Sequence, residues 1–200
     1  MSRTRLEAFS DGVLAIIITI MVLEIKVPND TNWQSILALL PIFTSYLISF
    51  LFVGIYWGNH HNLLQAVHKV NSAIMLANLN LLFWLSLLPF ATAWMGKNKF
   101  SINTMILYAV MLILCGVAYW ILQRCILATL TKNDPFHQAV SRQRYKVIIS
   151  MVATLVAIPF AFINPYLSGA MFILQSGIWI IPDKNIEKAA TIQRVTDEQS

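Results

Sequence analysis

Residues 5–25 read RLEAFSDGVLAIIITIMVLEI: a basic start, a polar step at Ser10-Asp11-Gly12, then an apolar run to Leu23 in which Thr19 is the one polar side chain. A helix that crosses a bilayer needs about 20 predominantly apolar residues, and residues 8–25 are expected to supply the first such span. At about 100° per residue, Ile16, Ile20 and Leu23 fall within about 40° of one line, which Gly12 and Val27 extend. Asp11 points about 140° away from Ile16 on the same wheel. A carboxylate inside a lipid-embedded helix is costly and demands a partner. The helix therefore has two faces: a smooth aliphatic stripe, and a polar anchor at Ser10 and Asp11 turned toward neighbouring helices. On periodicity alone, such a stripe is more often packing than a conduction path.

The rest of the chain repeats the apolar theme. Uncharged stretches at 33–58, 72–94 and 102–123 each reach the length of a crossing, and no charge occurs between Val147 and Ile181. That last stretch is too long for one span, and Asn164-Pro165 divides it, because proline removes a backbone donor and ends or bends the helix before it. The expected architecture is all-α with six membrane helices, at 8–25, 33–58, 72–94, 102–123, 147–163 and 166–181. Residues 183–200 form a short polar tail.

Composition agrees. The chain of 200 residues is 58% hydrophobic and 12% charged, half the charge of an ordinary soluble domain, with a mean hydropathy of +0.66. The net charge of +5 is a matter of topology rather than of a nucleic-acid partner. Arg3, Arg5, Lys69, Arg124, Lys132, Arg142, Arg144, Lys146, Lys184, Lys188 and Arg194 share one side of the six-span arrangement, against Lys26, Lys97 and Lys99 on the other. Basic residues stay cytoplasmic in short loops, so both termini are expected in the cytoplasm of a multi-pass membrane protein. The basic start imitates a signal peptide, but no small-x-small cleavage site follows it and the segment is read as retained. Cys115 and Cys125 lie in one apolar stretch and are read as packing residues.

Polar groups elsewhere in the spans supply partners for the anchor. Trp57, Asn59, His60 and His61 close the second span, and Asn78, Asn80 and Trp84 lie inside the third. Ser10 and Asp11 are expected to bond to His60 and Asn80, clamping the first helix to its own subunit, with Trp57 and Trp84 beside them. No metal site is expected: adjacent histidines diverge on a helix, and no carboxylate or cysteine lies near His60, His61 and His68 in sequence. A proton-sensing role for these histidines stays open, since imidazole titrates near neutrality.

Arg5-x-x-x-Phe9-Ser10-Asp11-Gly12 at a basic start, opening the first of six spans in a unit of about 200 residues, resembles the transmembrane-protein-175 potassium channels, the endolysosomal channel and its prokaryotic relatives. Animal members carry two such units per chain, so a single unit is similar to the prokaryotic, homotetrameric form. The resemblance implies that the first helix of each subunit lines the pore and that Ile16, Ile20 and Leu23 form its narrow part, flanked by Thr19. It implies a potassium channel of modest selectivity over sodium, located in a prokaryotic plasma membrane, needing no cofactor beyond the permeant ion. The Thr-Val-Gly-Tyr-Gly loop of carbonyl-cage filters is missing from the sequence.

Other classes fit less well. There is no His-Glu-x-x-His sequence, no Ser/His/Asp cluster within one polar region and no pair of intramembrane carboxylates, so no enzyme is expected. A secondary transporter coupled to protons or sodium through Asp11 is the main alternative, though internal repeats and broken midplane helices are not evident. Arg5 lies about 20° from the stripe on a continuous helix, which would put a cation at the inner mouth of a cation pore. Neutralisation by Glu7, Asp11, Asp183 or Glu187 is the expected resolution.

Overall fold

The computed structural model describes residues 2–131, 134–142 and 144–180. Its helices, in chain order, are α1 (Arg3–Leu23), α2 (Trp33–Leu37), α3 (Leu40–Leu64), α4 (Ser72–Ser86), α5 (Leu88–Lys97), α6 (Ile102–Leu127), α7 (Pro135–Arg142), α8 (Arg144–Ile163) and α9 (Pro165–Ile180). The tail expected at 183–200, with Asp183 and Glu187, lies outside the described residues.

α1 begins earlier than the apolar pattern implies, and the Ser10-Asp11-Gly12 step does not interrupt it. Ser2 caps it by accepting from the Arg5 amide at 3.4 Å, which starts the helix ahead of the motif. Its 21 residues span about 32 Å, close to the thickness of a bilayer core.

Prolines set most of the remaining boundaries. Pro41 falls in the first turn of α3, where its missing N–H costs nothing, so it starts a helix rather than kinking one and leaves residues 33–37 as the separate short α2. Pro89 does the same for α5, dividing the third apolar stretch at Leu87. Pro165 opens α9 directly after Asn164. Pro159 is the exception and lies inside α8.

By length and composition four helical segments can cross a bilayer: Arg3–Leu23, Leu40–Leu64, Ser72–Lys97 and Ile102–Leu127. Ile148–Ile163 is apolar but shorter. α1 packs on α3, α4 and α5; α6 packs on α4, α5, α8 and α9; and α8 pairs with α9. The core residues Leu14, Val53, Leu64, Ile74, Leu85, Leu88, Met95, Tyr108 and Cys115 are buried where these helices meet. Cys115 and Cys125 are free thiols, the first buried and the second half-buried.

Ser45-x-x-x-Ser49 and Gly54-x-x-x-Gly58 both have the spacing that lets helices approach closely, and among the described residues the serine pair is the one so used. Gly54-x-x-x-Gly58 offers a close-approach face, yet a Cβ added at either glycine meets nothing within 4 Å. The close contact is made one face away. Ser49 Oγ lies 2.6 Å from Thr92 Oγ1 and 2.9 Å from Tyr108 Oη, tying α3, α5 and α6 into one hydroxyl node. Above it α5 runs so close to α3 that a Cβ on Gly96 would meet the Ile42 Cα at 2.8 Å and collide with Ser45 Oγ. The obstacle is backbone and cannot rotate away. Gly96→Ala is therefore expected to destabilise the protein by about 1–3 kcal/mol, whereas Gly54→Ala is neutral, a contrast that thermal unfolding in detergent measures directly.

Candidate functional site

α1 carries the site, and its two faces meet opposite fates. Leu6, Ser10, Leu14, Ile17 and Met21, spaced by three or four residues, are buried against the neighbouring helices. Ile16, Ile20 and Leu23 are instead 58%, 46% and 70% exposed. Packing within the subunit therefore does not account for the stripe: a helix held along one side leaves an aliphatic row facing outward. Thr19 is also exposed, and its hydroxyl donates back to the Ile16 carbonyl at 2.8 Å, leaving its oxygen lone pairs outward. Gly12 is open to its surroundings, and Phe9 is 51% exposed.

The anchor is held by a chain of hydrogen bonds that crosses three helices. Asn78 on α4 donates from Nδ2 to Ser10 Oγ at 3.0 Å, and Ser10 donates to the Leu6 carbonyl at 2.8 Å. The Asn78 amide oxygen lies 2.6 Å from His60 Nε2 on α3. With that oxygen as acceptor, His60 carries its hydrogen on Nε2, and the bonds run one way from His60 to Asn78 to Ser10 to Leu6. His60 Nδ1 is buried without a partner. Asp11 takes a separate bond: Trp57 on α3 donates from its indole N–H to the carboxylate at 3.0 Å.

The expected pairing with His60 and Asn80 is thus corrected: Asn78 bonds Ser10, His60 reaches the motif only through Asn78, and Asp11 bonds Trp57. Residues two apart on a helix point about 200° apart, so only one of the two amides can face α1. Asn78 shares the buried face of α4 with Ile74, Leu81 and Leu85, whereas Asn80 is half-buried. Trp84 packs edge-on to Phe83 at 5.0 Å and makes no hydrogen bond to the motif. Of the other histidines, His61 meets the Gln65 side chain at 2.8 Å, and His68 lies beyond the end of α3.

Arg5 is exposed and forms no ion pair among the described residues, so neither Glu7 nor Asp11 neutralises it within the subunit. The reason is geometric: the Asp11 carboxylate is turned to Trp57, and Arg5 projects from the exposed side of the helix. It is Arg3 instead that reaches across, donating to the Gln65 carbonyl at 3.2 Å at the end of α3. At the opposite end of α1, Lys97 on α5 pairs with Glu24 at 2.8 Å.

A potassium channel of Chryseobacterium sp. (strain P1-3) is 48% identical to this chain over 189 residues, covering 94% of the chain and 98% of the relative. Residues 5–89 match the family described as endosomal/lysosomal potassium channel TMEM175. The chain belongs to the TMEM175 family. The TMEM175 match takes in α1, α3 and α4, and with them Arg5, Ser10, Asp11, Trp57, His60 and Asn78. The crystal structure of a lysosomal potassium-selective channel TMEM175 homolog from Chamaesiphon minutus shares the fold with a TM-score of 0.75 at 26% identity, covering 89% of this chain and 96% of that one. The endosomal/lysosomal proton channel TMEM175 of Mus musculus is 38% identical over 103 residues, which is 46% of this chain and 21% of the mouse protein. TMEM175 proteins are membrane ion channels, not enzymes.

Proposed function

We propose that this chain forms a homotetrameric leak channel for cations, with potassium preferred modestly over sodium and with the α1 helices of four subunits around the pore. The single observation that carries the reading is the exposure of Ile16, Ile20 and Leu23 on a helix whose other face is buried. Repeated around an axis, each aliphatic layer makes a collar about one hydrated ion wide, which dries out or strips the ion. Potassium holds its water less tightly than sodium and loses less in crossing. Thr19 supplies outward oxygen lone pairs between the layers. No nucleotide, metal or other cofactor takes part, and no nucleic acid binds.

In this reading α4 and α5 cross as one broken span and α8 and α9 as two, which with α1, α3 and α6 makes six. Both termini lie in the cytoplasm and the end of α1 at Leu23 faces outward, in the plasma membrane of a prokaryotic cell.

Purified protein in liposomes under potassium and sodium gradients tests the proposal. Unitary currents with potassium preferred are expected; slow, saturating exchange coupled to protons would instead make the protein a transporter acting through Asp11. The name of the mouse relative adds protons as a second permeant ion, and a proton gradient across the same liposomes tests that.

A further inference from the structure

We propose that Glu24 is the fixed charge that gathers cations at the outer mouth of the pore, and that Lys97 sets its strength; this rests on α1 being the pore helix. Glu24 follows Leu23, the last and most exposed member of the aliphatic stripe, and caps the C-terminal end of α1. Among the described residues it forms an ion pair, Lys97 Nζ to Glu24 Oε2 at 2.8 Å, while Oε1 has no partner there. Both side chains stay accessible, at 35% for Glu24 and 53% for Lys97.

The two charges are not equivalent in position. Glu24 stands on the helix that carries the stripe, whereas Lys97 stands on α5, the helix behind it. With α1 as the pore helix, the negative end of the pair stands nearer the axis than its positive end. The last carbonyls of α1 point out of the same end of the helix and add the negative end of its dipole there. Two of the neighbouring charges are cations, Lys26 and Lys99; the Lys26 amine reaches the Leu23 carbonyl at 3.4 Å. Asp30 is the remaining acid and accepts from Ser35 at 3.4 Å. With lysines outnumbering acids at this end, Glu24 is the acid nearest Leu23 in sequence and the one on α1 itself.

The size of the effect follows from Coulomb's law with screening. Four unit charges at roughly 10 Å from the axis, with a screening length of about 10 Å at 0.1 M salt, change the local cation concentration about threefold. At 1 M the screening length falls to about 3 Å and the effect disappears.

Single-channel recording from the full-length protein, with current entering from the outer side, reads this out. Glu24→Gln is expected to lower inward potassium current about threefold at 0.1 M salt and leave it unchanged at 1 M; Lys97→Gln, removing a charge farther from the axis at roughly 15 Å, is expected to raise it only about 1.5-fold under the same dilute conditions. The charge swap Glu24→Lys with Lys97→Glu restores the ion pair but turns its positive end inward, so its current is expected to stay at or below that of Glu24→Gln. A swap that restores wild-type current, or a Glu24→Gln deficit that persists at 1 M, shows a structural pin and overturns the proposal. If Ile16→Asn leaves the potassium-to-sodium ratio unchanged, the pore assignment itself fails. If Ile16→Asn shifts that ratio while Glu24→Gln is silent, only the inference about Glu24 fails.

Discussion

Replacing Ile16 with asparagine is expected to raise single-channel conductance about tenfold and to bring the potassium-to-sodium permeability ratio close to one. Ile16 is 58% exposed on a helix whose opposite face is buried, so its side chain makes few contacts that folding depends on. The amide would replace four aliphatic side chains in one layer of the collar with groups that coordinate ions and hold water. A tenfold rise corresponds to a barrier lowered by about 1.4 kcal/mol, a modest demand on four amides that replace part of an ion's hydration. Selectivity erodes for the same reason, since an ion that keeps its hydration is not sorted by how tightly it holds it. Single-channel currents and reversal potentials under mixed gradients measure both quantities, and stable, assembled protein is expected throughout. An unchanged ion ratio would remove Ile16 from the filter.

The second large effect is on folding rather than on flux. Asn78→Leu is expected to destabilise the subunit by about 1–3 kcal/mol, lowering its melting temperature in detergent by several degrees. Asn78 is fully buried and serves both Ser10 and His60. Without it the His60 ring, whose Nδ1 already lacks a partner, would have none at Nε2 either. Asn80→Leu, two residues along on the half-buried side, is expected to leave the melting temperature unchanged. Equal losses from the two variants would show that the amide chain is not what holds α1. Asp11→Ala should have the milder effect, because Asp11 is less deeply placed than Ser10 and its bond to Trp57 is a single one.

Much of this was legible from residue order. Long uncharged runs located the helical stretches, and the 3.6-residue period separated Ile16, Ile20 and Leu23 from the anchor at Ser10 and Asp11. The motif also named its own family. The prolines were harder: Pro41 and Pro89 fall inside stretches expected as single spans, yet each opens a helix, because a residue without an N–H is tolerated in the first turn and nothing local says where that turn lies. The small residues were half legible, since Ser45 and Ser49 do lie at the close approach of α3 and α5. Gly54 and Gly58 have the same spacing, yet an added Cβ at either meets nothing within 4 Å among the described residues, and the glycine at the close approach is Gly96, an isolated one with no pattern around it.

Asn78 and Asn80 show the division most clearly. Both stand in the same apolar helix, and composition cannot choose between them. The signal that separates them is the burial period of α4, in which Asn78 falls in line with Ile74, Leu81 and Leu85, and that line becomes informative only once α1 is known to lie against it. Residue order alone thus located the long apolar helical stretches and the greasy face of α1, since both depend on side chains a few positions apart on one helix. The partners of Ser10 and Asp11 and the pairing of Glu24 with Lys97 waited on three-dimensional packing, because those groups lie 46 to 73 positions apart. Contacts of that kind are set by the rotation of one helix against the next, and no local period encodes it.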